Sequence, residues 1–192
     1  MVKSDEELLQ EYAQGRREAF SELVERHLTG VYSFLLRFVG DAQDAQDISQ
    51  ETFVKAWRAA ATYNAKKSSF KTWLLRVARN AAVDHLRRRR NISFSEFEGE
   101  HEHLIAETVA DPGELPEELL AKAEDAQTVM RALHELPAKY REVLLLYYTN
   151  ELTFEELGAM LGEPQNTIKS RHRRALIALR EALGRDAPKQ AK

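Results

Sequence analysis

Apolar residues recur at spacings of three and four along most of the chain, and no stretch alternates with a period of two, so the pattern predicts helices without a sheet. Ser4 and Glu7 form a capping box ahead of Leu8, Leu9 and Tyr12, which predicts a first helix ending near Gly15. A second spans residues 16–39, with Phe20, Leu23, Val24, Leu28, Val31, Phe34, Leu35 and Phe38 as its apolar face and Gly40 as its stop. Asp41 is the N-cap of a third, with Asp44 three residues on, where a carboxylate suits the helix dipole. Ile48, Phe53, Val54, Trp57 and Ala60 make its stripe. After a loop at residues 62–69, Phe70, Leu74, Val77, Ala78 and Ala81 line one side of a fourth helix, which places Trp57 and Trp73 in the core or at its edge.

Periodicity lapses after Ile92. Residues 93–122 are acidic, hold two prolines and two glycines, and read as an extended or disordered linker. Helical spacing resumes from Ala123 with Val129, Met130, Leu133 and Leu136, and stops before Pro137. Pro137 suits the first position of the next helix, whose face is Tyr140, Val143, Leu144 and Tyr147. Thr153 and Glu156 form a second capping box, opening a short helix with Leu157 and Leu161 inward and Gly162 at its end. The last helix covers about residues 165–183, and residues 186–192 form a disordered tail. The expected fold is all-α: two small helical bundles, residues 1–92 and 123–185, joined by the acidic linker.

The polar faces carry the chemistry. At about 100° per residue, Trp73, Arg76, Asn80, Asp84 and Arg87 share one third of the fourth helix, and Arg88, Arg89 and Arg90 extend the charge. Guanidinium and amide groups in a row suit phosphates and base edges. On the third helix Asp44, Asp47, Gln50 and Glu51 lie away from the apolar stripe, where they either keep the helix soluble or meet a partner. The run TFEELGAMLGEPQNTIKSRHRRALIALR has the lengths and turn of a helix-turn-helix. Ile168, His172, Ala175 and Leu179 share its inner side, which leaves Asn166, Thr167, Ser170, Arg171 and Arg174 facing out with Lys169 and Arg173 at the flanks. No acidic residue stands between Gln165 and Arg180, so that face suits DNA, with Arg171 and Arg174 for guanine edges and Lys169 and Arg173 for phosphates.

Composition adjusts this picture in three places. The net charge of −3 conceals a segment, residues 93–125, with 1 Lys/Arg against 11 Asp/Glu, flanked by two basic ends, so a low overall charge does not argue against nucleic acid. There is no cysteine, which excludes disulfides and thiolate catalysis, and no long apolar window; a cytoplasmic protein without a membrane span is expected. His101, Glu102 and His103 supply too few ligands for a metal site, and no phosphate-cradling glycine loop or nucleophile elbow occurs. The expectation is therefore no enzyme, no metal, no cofactor and no small-molecule substrate.

The run DAQDISQETFVKAW, followed after a loop by SSFKTWLLRVARNAAVDHLRR, resembles domain two of bacterial sigma factors of the extracytoplasmic-function group, and the C-terminal helices resemble sigma domain four. The resemblance implies docking on core RNA polymerase, at its clamp and flap regions, with Asp44, Asp47, Gln50, Glu51 and Lys55 on the polymerase. It implies recognition of duplex and melted promoter DNA. Tyr63, Asn64, Lys66, Lys67 and Ser68 would hold a flipped base, and Arg76, Asn80, Asp84, Arg87 and Arg88 the minus-ten element. The last helix would read the minus-thirty-five element, the linker would enter the polymerase channel, and an anti-sigma factor would hold the protein inactive. Ala65 stands where relatives often carry glycine, and His172 where they carry an apolar residue. Two rivals are a stand-alone helix-turn-helix regulator and a metal enzyme built on the linker histidines.

Overall fold

Helix-capping chemistry stands where the sequence pattern puts it in the computed structural model, which describes residues 3–90 and 126–186. Helix α1 (Asp5–Ala13) opens on the Ser4–Glu7 capping box, with both reciprocal bonds formed. Helix α2 (Glu18–Val39) ends at Gly40, whose φ of 85° is the left-handed conformation that glycine adopts without penalty. Asp41 accepts the Asp44 amide at 2.9 Å and starts α3 (Ala42–Ala59). One turn of 3-10 helix at Ala60–Thr62 and a loop lead to α4 (Phe70–Arg90). The second set is α5 (Ala126–Glu135), α6 (Ala138–Leu144), α7 (Phe154–Leu161) and α8 (Gln165–Asp186). No strand occurs among the described residues.

The chain divides into two compact units, Met1–Ile92 and Ser93–Lys192. In the first, α2 packs on α1, α3 and α4, and α3 packs on α4. Phe34, Phe38, Phe70, Leu23, Leu35, Ile48, Leu74 and Leu75 are almost wholly buried there, each contributing about 1.5–3 kcal/mol of transfer free energy. In the second, α8 is the common partner of α5, α6 and α7, and buries Ile168, Ala175, Leu176, Leu179, Ala182 and Leu183.

Three residues expected in the core are on the surface instead: Leu28 is 46% exposed, Val54 45% and Trp57 53%. The face that α3 buries is Ala45, Ile48, Ser49, Thr52, Phe53 and Ala56. Its small residues let neighbouring helices approach closely, and Thr52 Oγ1 satisfies itself by donating to the Ile48 carbonyl at 2.7 Å. Val24, Val77 and Leu161 are half-buried. Pro137 caps α6 from outside, with an extended ψ of 141°, and is not its first helical residue. Beyond Leu144 the helix widens into a π-turn over Leu145–Thr149, a feature with no signal in the apolar spacing. The linker over residues 93–122, the turn expected from Ala123, His101 to His103, and the tail beyond residue 186 lie outside the described residues.

The helix-turn-helix depends on one close approach. A Cβ on Gly158 would stand 2.8 Å from the Glu163 carbonyl oxygen, a backbone atom that cannot swing aside, and Glu163 N–H in turn bonds the Gly158 carbonyl at 3.0 Å. Gly162, at φ 73°, makes the turn between them. Gly158→Ala is therefore expected to destabilise the second unit by about 1–3 kcal/mol despite alanine's better helix propensity, checked by denaturant unfolding followed by far-ultraviolet circular dichroism.

Candidate nucleic-acid interface

The loop between α3 and α4 is held shut by its own bonds. Tyr63 Oη donates to the Ser68 carbonyl at 3.0 Å, Asn64 Oδ1 accepts the Lys66 amide at 2.9 Å, and Lys67 N–H reaches the Asn64 carbonyl at 2.9 Å. Ser69 Oγ caps the Thr72 amide at 3.2 Å, starting α4 at Phe70. The Asn64, Lys66 and Lys67 side chains are left exposed at the tip, with Ser68 half-buried. Ala65 fits because this path needs no positive φ: Glu151 is the only described non-glycine residue that has one.

Beneath the loop, the Tyr63, Phe70 and Trp73 rings pack at centroid distances of 5.5–5.7 Å. Burial raises the Tyr63 phenol above its ordinary range, and the Glu6 and Asp5 carboxylates add to this, so the phenol stays protonated as the donor to Ser68. Along α4, Trp73, Arg76 and Arg87 are half-buried, while Asn80, Asp84 and Arg88 are exposed. Arg88 Nε donates to the Asp84 carbonyl at 3.2 Å, and Arg79 to the Asn80 side-chain oxygen at 3.3 Å. The stripe expected from helical geometry is thus present.

On α3, Asp47, Gln50, Glu51 and Lys55 are exposed, with Glu51 and Lys55 paired at 2.7 Å. Asp44 departs from expectation. Its side chain is only 16% exposed and lies 3.2 Å from His85 Nε2, so it ties α3 to α4 and is not part of the free face. In its place the surface offers Val54 and Trp57, which follow Gln50 by four and seven residues and so share its side of the helix. Leu28 is exposed on α2, which packs along α3. Periodicity had the signal: Ala45, Ile48, Ser49, Thr52, Phe53 and Ala56 already complete a helical face, and Val54 and Trp57 fall outside it.

On α8, Asn166 and Lys169 are exposed and Thr167, Ser170, Arg173 and Arg174 half-buried. Arg171 does not face out as expected. It is 2% exposed, and its guanidinium donates to Glu163 in the turn at 2.5 Å, a partner that makes burial of the charge tolerable. It stands three residues after Ile168 and four before Ala175, inside the buried stripe, so its angle overrode its charge. His172 packs in the core as expected, with ring centroids 4.8 Å from Tyr147, 5.1 Å from Phe154 and 5.5 Å from Tyr148. Tyr147, Tyr148, Phe154, Thr153, Gln165 and Lys169 border an open hollow of about 560 Å³ beside the start of α8. Among the described residues no group of His, Cys, Asp and Glu could hold a metal ion, and no helix is long and apolar enough to cross a membrane.

Comparison with known proteins matches residues 23–92 to Sigma-70 region 2 and residues 132–181 to Sigma-70 region 4. The chain is 32% identical to the ECF RNA polymerase sigma factor SigW of Bacillus subtilis, over 91% of this chain and 94% of that protein. It is 33% identical to the RNA polymerase sigma-H factor of Pseudomonas aeruginosa, over 94% of each. Among solved structures it is similar to CnrH in complex with the cytosolic domain of CnrY, at TM-score 0.69 and 26% identity, covering 96% of this chain and 99% of that one. It is also similar to the sigma factor RpoE in complex with the anti-sigma factor NepR from Bartonella quintana, at TM-score 0.64 and 28% identity, covering 87% of this chain and 98% of that one.

The contrast between Arg171 and Lys169 is measurable without DNA. Arg171→Ala leaves the Glu163 carboxylate without its guanidinium and is expected to cost the second unit about 2 kcal/mol, whereas Lys169→Ala stays within about 0.5 kcal/mol. Both tryptophans lie in the first unit, so tryptophan fluorescence follows that unit alone, and a transition seen only by circular dichroism, which sums both helical units, reports the second.

Proposed function

Since the chain belongs to the sigma-70 family of RNA polymerase sigma factors, in its extracytoplasmic-function group, we propose that its two bundles divide the work of an alternative sigma factor. The factor binds core RNA polymerase and directs promoter-specific initiation at minus-thirty-five and minus-ten elements. In this reading residues 1–92 act as sigma domain two, residues 93–122 as a tether, and residues 123–185 as sigma domain four. The polymerase performs the chemistry in the cytoplasm, and this chain contributes recognition and strand opening.

The observation that carries the reading is the pairing of two unlike polar faces on adjacent helices of one bundle. Asp47, Gln50, Glu51 and Lys55 with Val54, Trp57 and Leu28 combine charge with exposed apolar area, the mixture a protein partner buries. This is the polymerase-docking surface. Arg76, Asn80, Asp84, Arg87 and Arg88 on α4, beside the loop of Tyr63, Asn64, Lys66, Lys67 and Ser68, take the minus-ten strand, with the loop capturing an extruded base. Asn166, Thr167, Lys169, Ser170, Arg173 and Arg174 read the minus-thirty-five duplex, with Arg171 holding the turn from within. A second polymerase contact, at the flap, belongs to domain four in this reading. An anti-sigma factor is the remaining partner, as in the Bartonella complex. Each DNA face is small, so tight promoter binding needs both bundles held on the polymerase together.

Run-off transcription with core polymerase, with and without this protein, tests the reading: promoter-dependent product is expected only when the protein is added. A tight gel shift of free duplex in the absence of polymerase, with no run-off product, would establish the stand-alone regulator instead. The two faces are separable. Gln50→Ala with Glu51→Ala, or Trp57→Ala alone, is expected to weaken core-enzyme binding at least about tenfold at every promoter, while Arg174→Ala changes minus-thirty-five preference with core binding intact. Identical defects from both classes would overturn the division of labour.

A further inference from the structure

The N-terminal turn of α1 lies far along the chain from the loop over residues 63–69, yet a continuous set of contacts joins them. Asp5 accepts from Arg26 Nη1 at 2.6 Å and lies 2.6 Å from His27 Nε2, while Arg26 Nη2 also donates to the Lys3 carbonyl at 2.7 Å. Two adjacent side chains of α2 thereby clasp the start of α1. Surface ion pairs of this kind contribute little as a rule, but here the Asp5 and His27 side chains are only 16% and 14% exposed. The same His27 ring stands edge-on to Phe70, the first residue of α4, at 5.4 Å. Phe70 is one wall of the Phe70–Tyr63–Trp73 cluster, and Tyr63 closes the loop through its bond to Ser68. Burial raises the Tyr63 phenol, and the Glu6 and Asp5 carboxylates of the same acidic turn add to the shift.

α1 packs on α2, and contacts through residue 27 carry it to the aromatic cluster beneath the loop. We propose that the first turn of α1 is a positioning element for strand capture: Asp5 fixes His27, and the His27 ring fixes the aromatic cluster on which the base-capturing loop is built. The inference rests on the reading above, in which that loop takes an unpaired base. Neither residue touches DNA in this scheme. Their effect is to keep Asn64, Lys66 and Ser68 arranged before a base arrives, so that the ordering cost of capture falls before binding. Loss of the clasp loosens the loop without disturbing the Gln50, Glu51 and Trp57 face.

The test uses holoenzyme reconstituted from the full chain on a promoter fragment that supports run-off, supplied as intact duplex and as the same fragment pre-melted by mismatches across the minus-ten element. Asp5→Ala and His27→Ala are expected to lower product from intact duplex about tenfold, as losing a charge-assisted contact does. On the pre-melted fragment each returns to within about twofold of the unsubstituted protein, and the double variant is no worse than either single one, since both lie on one path. A merely structural defect depresses both templates alike, and that result, or full activity on duplex, overturns the proposal. Asn64→Ala with Lys66→Ala serves as the reference. If that variant opens duplex normally, the base-capture reading itself falls; if it is impaired while the α1 variants are not, the proposal alone falls.

Discussion

Apolar burial along one stripe of α4 and one stripe of α8 fixes the two basic surfaces described above. Each helix is a rod of more than twenty residues with its core face and its contact face on opposite sides, so the register of the packed side determines the aim of the free side. Sliding one residue in that register turns a helix by about 100°, which would carry Ala81 toward solvent and Asn80 toward the core. Close packing of Phe70, Leu74, Ala78 and Ala82 against neighbouring helices makes such a slip costly. The side chains proposed to meet DNA thus inherit their positions from residues buried in the core.

Polar groups sunk into the bundles do related work at the seams. Asp44 with His85 joins α3 to α4, Asp5 with His27 and Arg26 joins α1 to α2, and Arg171 with Glu163 joins α8 to its turn. Such pairs gain little net energy over apolar packing, yet each penalises arrangements that separate its partners. In the first unit they connect α3 with α4 and α1 with α2, so the exposed faces of these helices keep a constant relation.

The helix ends were the most legible part of the sequence, because capping is local chemistry: Ser4 with Glu7, Thr153 with Glu156, Asp41, Gly40 and Gly162 all act within a few residues of themselves. Faces were less so. Hydropathy favours Val54 and Trp57 for the interior over Ser49 and Thr52, but a tight contact between α3 and its neighbours needs small side chains, and a partner's surface needs the large ones. Charge misplaced Arg171 for the converse reason, since its partner Glu163 lies across a turn and outside any helical repeat. The clasp of Asp5 on His27 joins positions distant in sequence and gives no periodic signal. The π-turn at Leu145–Thr149 was hidden too, as its extra residue leaves the spacing of apolar positions helical on both sides.

Withdrawing Arg171 into the bundle alters how the recognition helix responds to its ionic surroundings. Between Gln165 and Arg180 the sequence has Lys169, Arg171, Arg173 and Arg174, but one of these four cations, Arg171, is removed from solvent and already neutralised by a carboxylate of its own chain. In the proposed reading, fewer condensed cations are then displaced from the duplex than the tally of basic side chains implies, and the fall of affinity with added salt is correspondingly shallow. In that reading a larger share of promoter discrimination is left to shape and base-edge contacts, which tolerate changing ionic strength better than a purely electrostatic grip.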